Sequence, residues 1–312
     1  MRLLPLLALG AALILPAPAQ AEVPRVVATI KPIHSLVAAV MGELGAPTLI
    51  VKGGASPHAY SLKPSDAQAL EAADVVFWTG HGLELFLEEA LDTLAVEAEV
   101  VQLAAVPGVE LLAVREGGAF EPHEDEEHDE ERDEHEEQAG KTDMHFWLDP
   151  INTRTLTSAV AETLAVADPE HAQAYRANAR AYNDELVALT GELDAALAGV
   201  KGKPFIVFHD AYQYFEQRFG LSVAGSITVT PDSMPGAQRV NELRGKIVES
   251  GATCVFAEPQ FQPTIVAAII EGTGARAGEL DPEGANLEEG PDLYRQLLAN
   301  IATGLNDCLT GQ

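Results

Sequence analysis

Short apolar runs alternate along the chain with longer stretches whose apolar positions recur at helical spacing. In the first half, residues 25–30, 47–51, 74–78 and 99–103 read as strands. Residues 33–41, 64–72 and 83–94 read as the helices between them, with Ser65 and Asp66 in the first turn of the second. A helix is predicted over 153–166, then an uninterrupted helical pattern over 169–197, roughly 40 Å long at 1.5 Å per residue. A second alternating set follows, with strands at 204–208, 221–228, 253–257 and 276–280 and helices at 210–219, 236–250, 264–272 and 291–306. Strand and helix alternating in this way predict an α/β fold of two lobes, each a parallel sheet flanked by helices, joined by one long linking helix. The expected division is an N-terminal lobe over 22–166, the linking helix over 167–199 and a C-terminal lobe over 200–312.

Two segments break this pattern. Residues 1–21 carry Arg2, an apolar stretch and the small-residue end Ala19-Gln20-Ala21, which reads as a cleaved secretory signal peptide. No later segment has the length of a membrane span and no cysteine lies near the cleavage point, so an exported periplasmic protein without membrane insertion is expected. The second break, residues 117–141, is a charged, low-complexity insert that cannot bury apolar surface and is expected to be disordered. Twelve acidic residues and Arg132 between Glu121 and Glu137 supply −11 of the formal net charge of −29. The remaining −18 still excludes nucleic acid and anionic membranes as partners and suits a protein that attracts cations. Cys254 and Cys308 are the two cysteines, and an oxidising compartment favours their pairing, which would pin the chain end to a sheet.

Three histidines stand out by position. His58 lies in a glycine-containing loop past a strand and His209 directly ends another; His145 begins a short β-like segment, His145-Phe-Trp-Leu-Asp149. Ligands of open parallel sheets bind at the carboxyl ends of strands, so these imidazoles point to one shared metal site. Their separations, 87 residues from His58 to His145 and 64 from His145 to His209, are too long for a zinc-finger loop or a helical pair. Asp281, in Leu280-Asp-Pro282, ends a further strand and is a candidate on the same argument. For any one of these residues the alternative is a satisfied histidine or a helix cap. His34, His81 and His171 read as structural. His123, His128 and His135, interleaved with carboxylates in the insert, suit weak accessory metal binding or a solvated acidic loop.

Gly53-Gly-Ala-Ser-Pro-His-Ala-Tyr-Ser-Leu-Lys-Pro-Ser-Asp66, the acidic histidine-containing insert ahead of Met144-His-Phe-Trp-Leu-Asp149, Val207-Phe-His-Asp-Ala-Tyr-Gln-Tyr-Phe215 and Ala252-Thr-Cys-Val-Phe-Ala-Glu-Pro-Gln-Phe261 form a specific set. In combination, and over essentially the whole mature chain, they resemble the periplasmic zinc-binding component of bacterial zinc ABC importers. The resemblance implies two α/β lobes joined by a long helix, with Zn2+ held between them and delivered to a membrane permease by a monomeric carrier. It also implies His58, His145 and His209 as the zinc-binding imidazoles and Cys254–Cys308 as a disulfide of the second lobe. One departure is that some members carry Glu immediately before the first histidine, where this chain has Pro57. The implied fourth ligand is then water or Asp281, with Glu258 the weaker candidate and better read as a structural residue of the second lobe.

Three neutral imidazoles and at most one carboxylate favour zinc over manganese, which prefers more oxygen donors. Manganese-binding relatives replace the third histidine with a carboxylate, whereas His209 is retained here. The alternative from another class is a secreted zinc-dependent hydrolase, since three ligands and a water also make a catalytic centre. Against catalysis, the chain contains no His-Glu-x-x-His helix.

Overall fold

The computed structural model describes residues 23–115, 120, 142–228, 235–261 and 264–311. The expected signal peptide and the insert histidines His123, His128 and His135 lie outside the described residues.

Valine-rich runs with both faces covered form the two central strands of the first sheet. Its strands β1 (Val26–Ala28), β2 (Thr48–Leu49), β3 (Val75–Trp78) and β4 (Glu99–Gln102) run parallel in the order β2-β1-β3-β4. β1 and β3 are buried along their whole length, as a parallel sheet with helices on both faces requires. A two-stranded antiparallel hairpin, β5 (Leu112–Ala113) with β6 (Thr142–Asp143), forms the stem of the acidic insert. It escapes detection in the sequence because two-residue strands carry no periodicity.

The second sheet contains β7 (Pro204–His209), β8 (Ser222–Thr228), β9 (Cys254–Ala257) and β10 (Arg276–Glu279), again parallel, in the order β10-β9-β7-β8. Its two central strands, β7 and β9, alternate between two apolar clusters. Phe205 and Val207 of β7, with Cys254 and Phe256 of β9, face a large core continuous with that of the first lobe. Ile206, Phe208 and Val255 face a smaller cluster built with Leu243, Ile247, Val266 and Ile269 of the outer helices Ala237–Ser250 and Thr264–Ile270. The period of two along a strand thus divides one sheet between a shared core and a private one.

The long helix spans Ala172–Leu197 and buries Tyr175, Ala179, Tyr182, Leu186, Leu189, Leu193 and Leu197. These positions recur at three- and four-residue steps and form a single apolar stripe. The stripe packs on helices Lys31–Met41 and Pro150–Ala167 of the first half and on helices Gln213–Phe219 and Leu293–Thr310 of the second. Its start falls three residues later than the sequence pattern predicts. Asp168 ends the preceding helix and its carboxylate accepts hydrogen bonds from His171 Nδ1 at 2.7 Å and Tyr175 OH at 2.9 Å, which holds Pro169 and Glu170 in a turn.

Disulfide Cys254–Cys308 joins β9 to the last helix, Leu293–Thr310, as the sequence led us to expect. Two glycines permit this close approach. A Cβ at Gly278 would lie 2.5 Å from the Phe256 ring, and one at Gly304 would lie 2.7 Å from the Glu279 carbonyl oxygen.

Candidate metal centre

Each of the three histidines is placed by a local device its neighbours supply. The Ser56 hydroxyl accepts the His58 N–H at 3.3 Å and caps the short 3-10 turn Pro57–Ala59. Tyr60 OH then lies 3.2 Å from the Ile50 carbonyl and 2.9 Å from the Asp66 carboxylate. That carboxylate also accepts the Lys63 N–H and caps helix Pro64–Ala72, so the loop is tied at both ends. His145 differs from the sequence expectation. Instead of opening a β-like segment, it follows β6 and precedes a buried 3-10 turn, Phe146–Leu148. Its burial reflects the packing of Phe146, Trp147 and Leu148 into the core, a preference short enough to read as strand or helix alike. His209 ends β7, and a tight turn follows in which Ala211 N–H donates to the His209 carbonyl at 2.9 Å.

The three side chains converge. One ligand nitrogen from each lies within 4.8 Å of the others, and the ring centroids are 5.4 Å apart for His58–His145, 5.6 Å for His58–His209 and 5.1 Å for His145–His209. His145 and His209 are buried and His58 nearly so. Asp143, which the sequence argument did not consider, and Glu258, which it weighed only as the weaker fourth-ligand candidate, orient two of the rings. His145 Nδ1 donates to Asp143 Oδ1 at 2.8 Å, and His209 Nδ1 donates to Glu258 Oε1 at 2.7 Å. A carboxylate accepts only, so in the neutral rings each Nδ1 carries the proton and each Nε2 turns a lone pair inward. Those two Nε2 atoms are 3.2 Å apart. Two Zn–N bonds of about 2.05 Å at a tetrahedral angle would separate their nitrogens by about 3.3 Å. His58 Nε2 is buried and without a hydrogen-bond partner. The signal for these orienting groups was present: Asp143 stands two residues before His145, and Glu258 follows β9, the strand paired with β7.

The electrostatics separate the rings. Burial, then repulsion from His145 and His209, pushes the His58 pKa well below its ordinary value of 6.5. For His209, burial acts in the same direction, but the carboxylates of Glu258, Asp210 and Asp143 outweigh it and hold the pKa above the ordinary value.

Asp281 is held by other partners. Its Oδ1 accepts from the backbone N–H of Glu283 at 3.0 Å and Gly284 at 2.9 Å and from Gln260 Nε2 at 3.2 Å, while Oδ2 accepts from Ala285 N–H at 2.6 Å. The carboxylate is engaged by these donors, and Asp281 is not among the converging groups found in the described residues. The structural reading of Glu258 changes as well: it reaches the site through His209. Beside the rings lies a narrow cavity of about 10 Å³, lined by residues that include His58, His209, Glu258 and Glu283. A separate cleft of about 910 Å³ lies among His34, Glu43, Asn178, Tyr182 and Glu289 and is lined by none of the three histidines.

Two parallel α/β lobes with a ligand crevice at the carboxyl ends of their strands, bridged by a long helix, define the class: a two-lobed solute-binding protein. The family model for ZnuA, the zinc-uptake complex component A periplasmic, matches residues 26–308, and the chain belongs to that family. It is 52% identical to the high-affinity zinc uptake system protein ZnuA of Brucella suis over 91% of both chains. To the protein of the same name from Paracoccus denitrificans it is 42% identical over 94% of both. Among solved structures it superimposes on a zinc-bound ZnuA deletion mutant with a TM-score of 0.75 at 25% identity, covering 93% of this chain and 100% of that one. No helix of the described residues is long and apolar enough to cross a membrane.

Proposed function

We propose that the protein captures Zn2+ in the periplasm, between its two lobes, and delivers it to the membrane permease of an ABC importer. The observation that carries this reading is the convergence of His58, His145 and His209, from three separated segments, on one centre. Neutral imidazoles with Nε2 lone pairs turned inward suit zinc, and the absence of any carboxylate from the converging donors among the described residues disfavours manganese. Water completes the fourth position, since Asp281 is held by its own loop. Zinc is here the cargo, and the chain performs no catalysis. A hydrolase needs space for substrate beside its metal, and the cavity here holds about one water-sized group.

His123, His128 and His135 act as a weak accessory collector, because imidazoles and carboxylates interleaved along an acidic sequence bind divalent ions reversibly. The test is a zinc competition titration against a chelator, with metal analysis of gently purified protein. One tightly held zinc per chain is expected, lost in His58→Ala, His145→Ala and His209→Ala. Tight binding that survives all three substitutions would refute the site.

A further inference from the structure

Arg115 lies between β5 and the acidic insert, and its guanidinium reaches across to the second lobe. Nε donates to Asp210 Oδ2 at 2.9 Å and a terminal nitrogen to Asp210 Oδ1, a bidentate grip, while the other terminal nitrogen donates to Glu216 Oε2 at 2.5 Å. The Phe120 ring covers the guanidinium, its centroid 4.1 Å from Cζ. The side chains of Arg115, Asp210 and Glu216 are 21%, 14% and 16% exposed, so this is a largely desolvated triad and not a screened surface pair.

What the triad holds is the neighbourhood of the ligands. Asp210 is next in sequence to His209, within the tight turn closed by Ala211 N–H on the His209 carbonyl. On the same hairpin, Leu112 N–H donates to Tyr214 OH at 2.8 Å, and Tyr214 OH donates to the carbonyl of Asp143 at 2.6 Å; Asp143 is the residue that orients His145. Gln213 Nε2 donates to the Ala113 carbonyl at 3.1 Å. The stem of the insert is therefore clamped to helix Gln213–Phe219 by groups that also set the positions of His145 and His209. Arg218 and Asp149 form another ion pair between the halves, but neither adjoins a zinc-site histidine in sequence.

We propose that Arg115 is a positioning residue, a latch that holds the two lobes closed over the ion and thereby sets the rate of its release. This rests on the reading that His58, His145 and His209 hold the zinc. Without the guanidinium, Asp210 and Glu216 are left as neighbouring desolvated carboxylates that repel, and the turn carrying His209 loses its anchor to the insert stem. Because the latch acts on the closed state, its loss speeds dissociation and leaves association little changed.

The experiment measures zinc dissociation from the full chain by stopped-flow transfer to an excess chelator. It compares wild type, Arg115→Ala, Arg115→Lys and His209→Ala, with thermal unfolding of each metal-free protein. Arg115→Ala is expected to keep one zinc per chain and release it about tenfold faster or more, within the range usual for coupling between sites. Arg115→Lys, which keeps the charge but loses the bidentate fork, should fall between. Should Arg115→Ala fail to fold, Arg115→Lys and Glu216→Gln carry the same test. Release within twofold of wild type in the folded variants, with or without a lower unfolding temperature, would overturn the latch while leaving the zinc site standing. Normal tight binding by His209→Ala would instead overturn the site itself.

Discussion

Replacing Glu258 by alanine removes the acceptor that orients His209 without touching any of the three imidazoles. Glu258 is 2% exposed and receives His209 Nδ1–H at 2.7 Å, a charge-assisted bond in a dry setting. Such a bond contributes about 1.5–3 kcal/mol net, and 1.4 kcal/mol is a factor of ten in affinity. Zinc affinity should therefore fall by about 10- to 100-fold, the range usual for loss of a carboxylate behind a ligating histidine. His209→Ala should cost more, because it deletes a ligand.

The pH dependence gives this prediction a second edge. Glu258 is the foremost influence raising the His209 pKa above 6.5, and a raised pKa means that zinc must displace a proton as the solution becomes acidic. In Glu258→Ala that influence is gone and burial pulls the pKa down, so the proton competes less. The variant-to-wild-type ratio of Kd should be largest near about pH 8 and shrink toward about pH 6. Chelator-competition titrations at both pH values measure it. A ratio within twofold at the higher pH, or one that widens toward acid, would refute the orienting role.

Deleting residues 121–137 should leave affinity at the tight site within about threefold while abolishing weak additional binding, whereas His209→Ala does the reverse; calorimetric titration showing the opposite order would reverse the assignment of the tight site. Asp281→Ala should leave zinc affinity nearly unchanged but cost about 1–3 kcal/mol of stability, because the backbone N–H groups of residues 283–285 lose their acceptor; a large loss of zinc affinity in a folded variant would return Asp281 to the ligand set. Reducing Cys254–Cys308, with a sequence separation of 54, should cost roughly 4 kcal/mol on the chain-entropy model, read as a lower unfolding midpoint in denaturant. An unchanged midpoint would show that the packing of Gly278 and Gly304 holds the last helix unaided.

Much of the architecture was legible because it is written in periodicities. Val26, Val27, Val75 and Val76 read as buried parallel strands, and the stripe from Tyr175 to Leu197 reads as one helix face. The alternation of these patterns determined two parallel α/β lobes, and position after a strand marked His58 and His209. The charge is a matter of composition, and the cysteine pair followed from the oxidising compartment that the sequence led us to expect.

Other features depend on which distant atoms meet, and no local pattern encodes that. Asp281 and Glu258 both follow strands of the second sheet, and linear reasoning ranked Asp281 higher as a ligand. Only the folded chain decided that Asp281 turns to its own loop N–H groups while Glu258 backs His209, because β9 lies beside β7. Likewise Arg115 is a lone cation ahead of an acidic run until the hairpin sets it against Asp210 and Glu216. The hydrophobic pattern determines which face of each element is buried, since burial is non-directional and governed by area. Hydrogen bonds and ion pairs are directional and short, so their partners are settled only when the packed elements fix the distances.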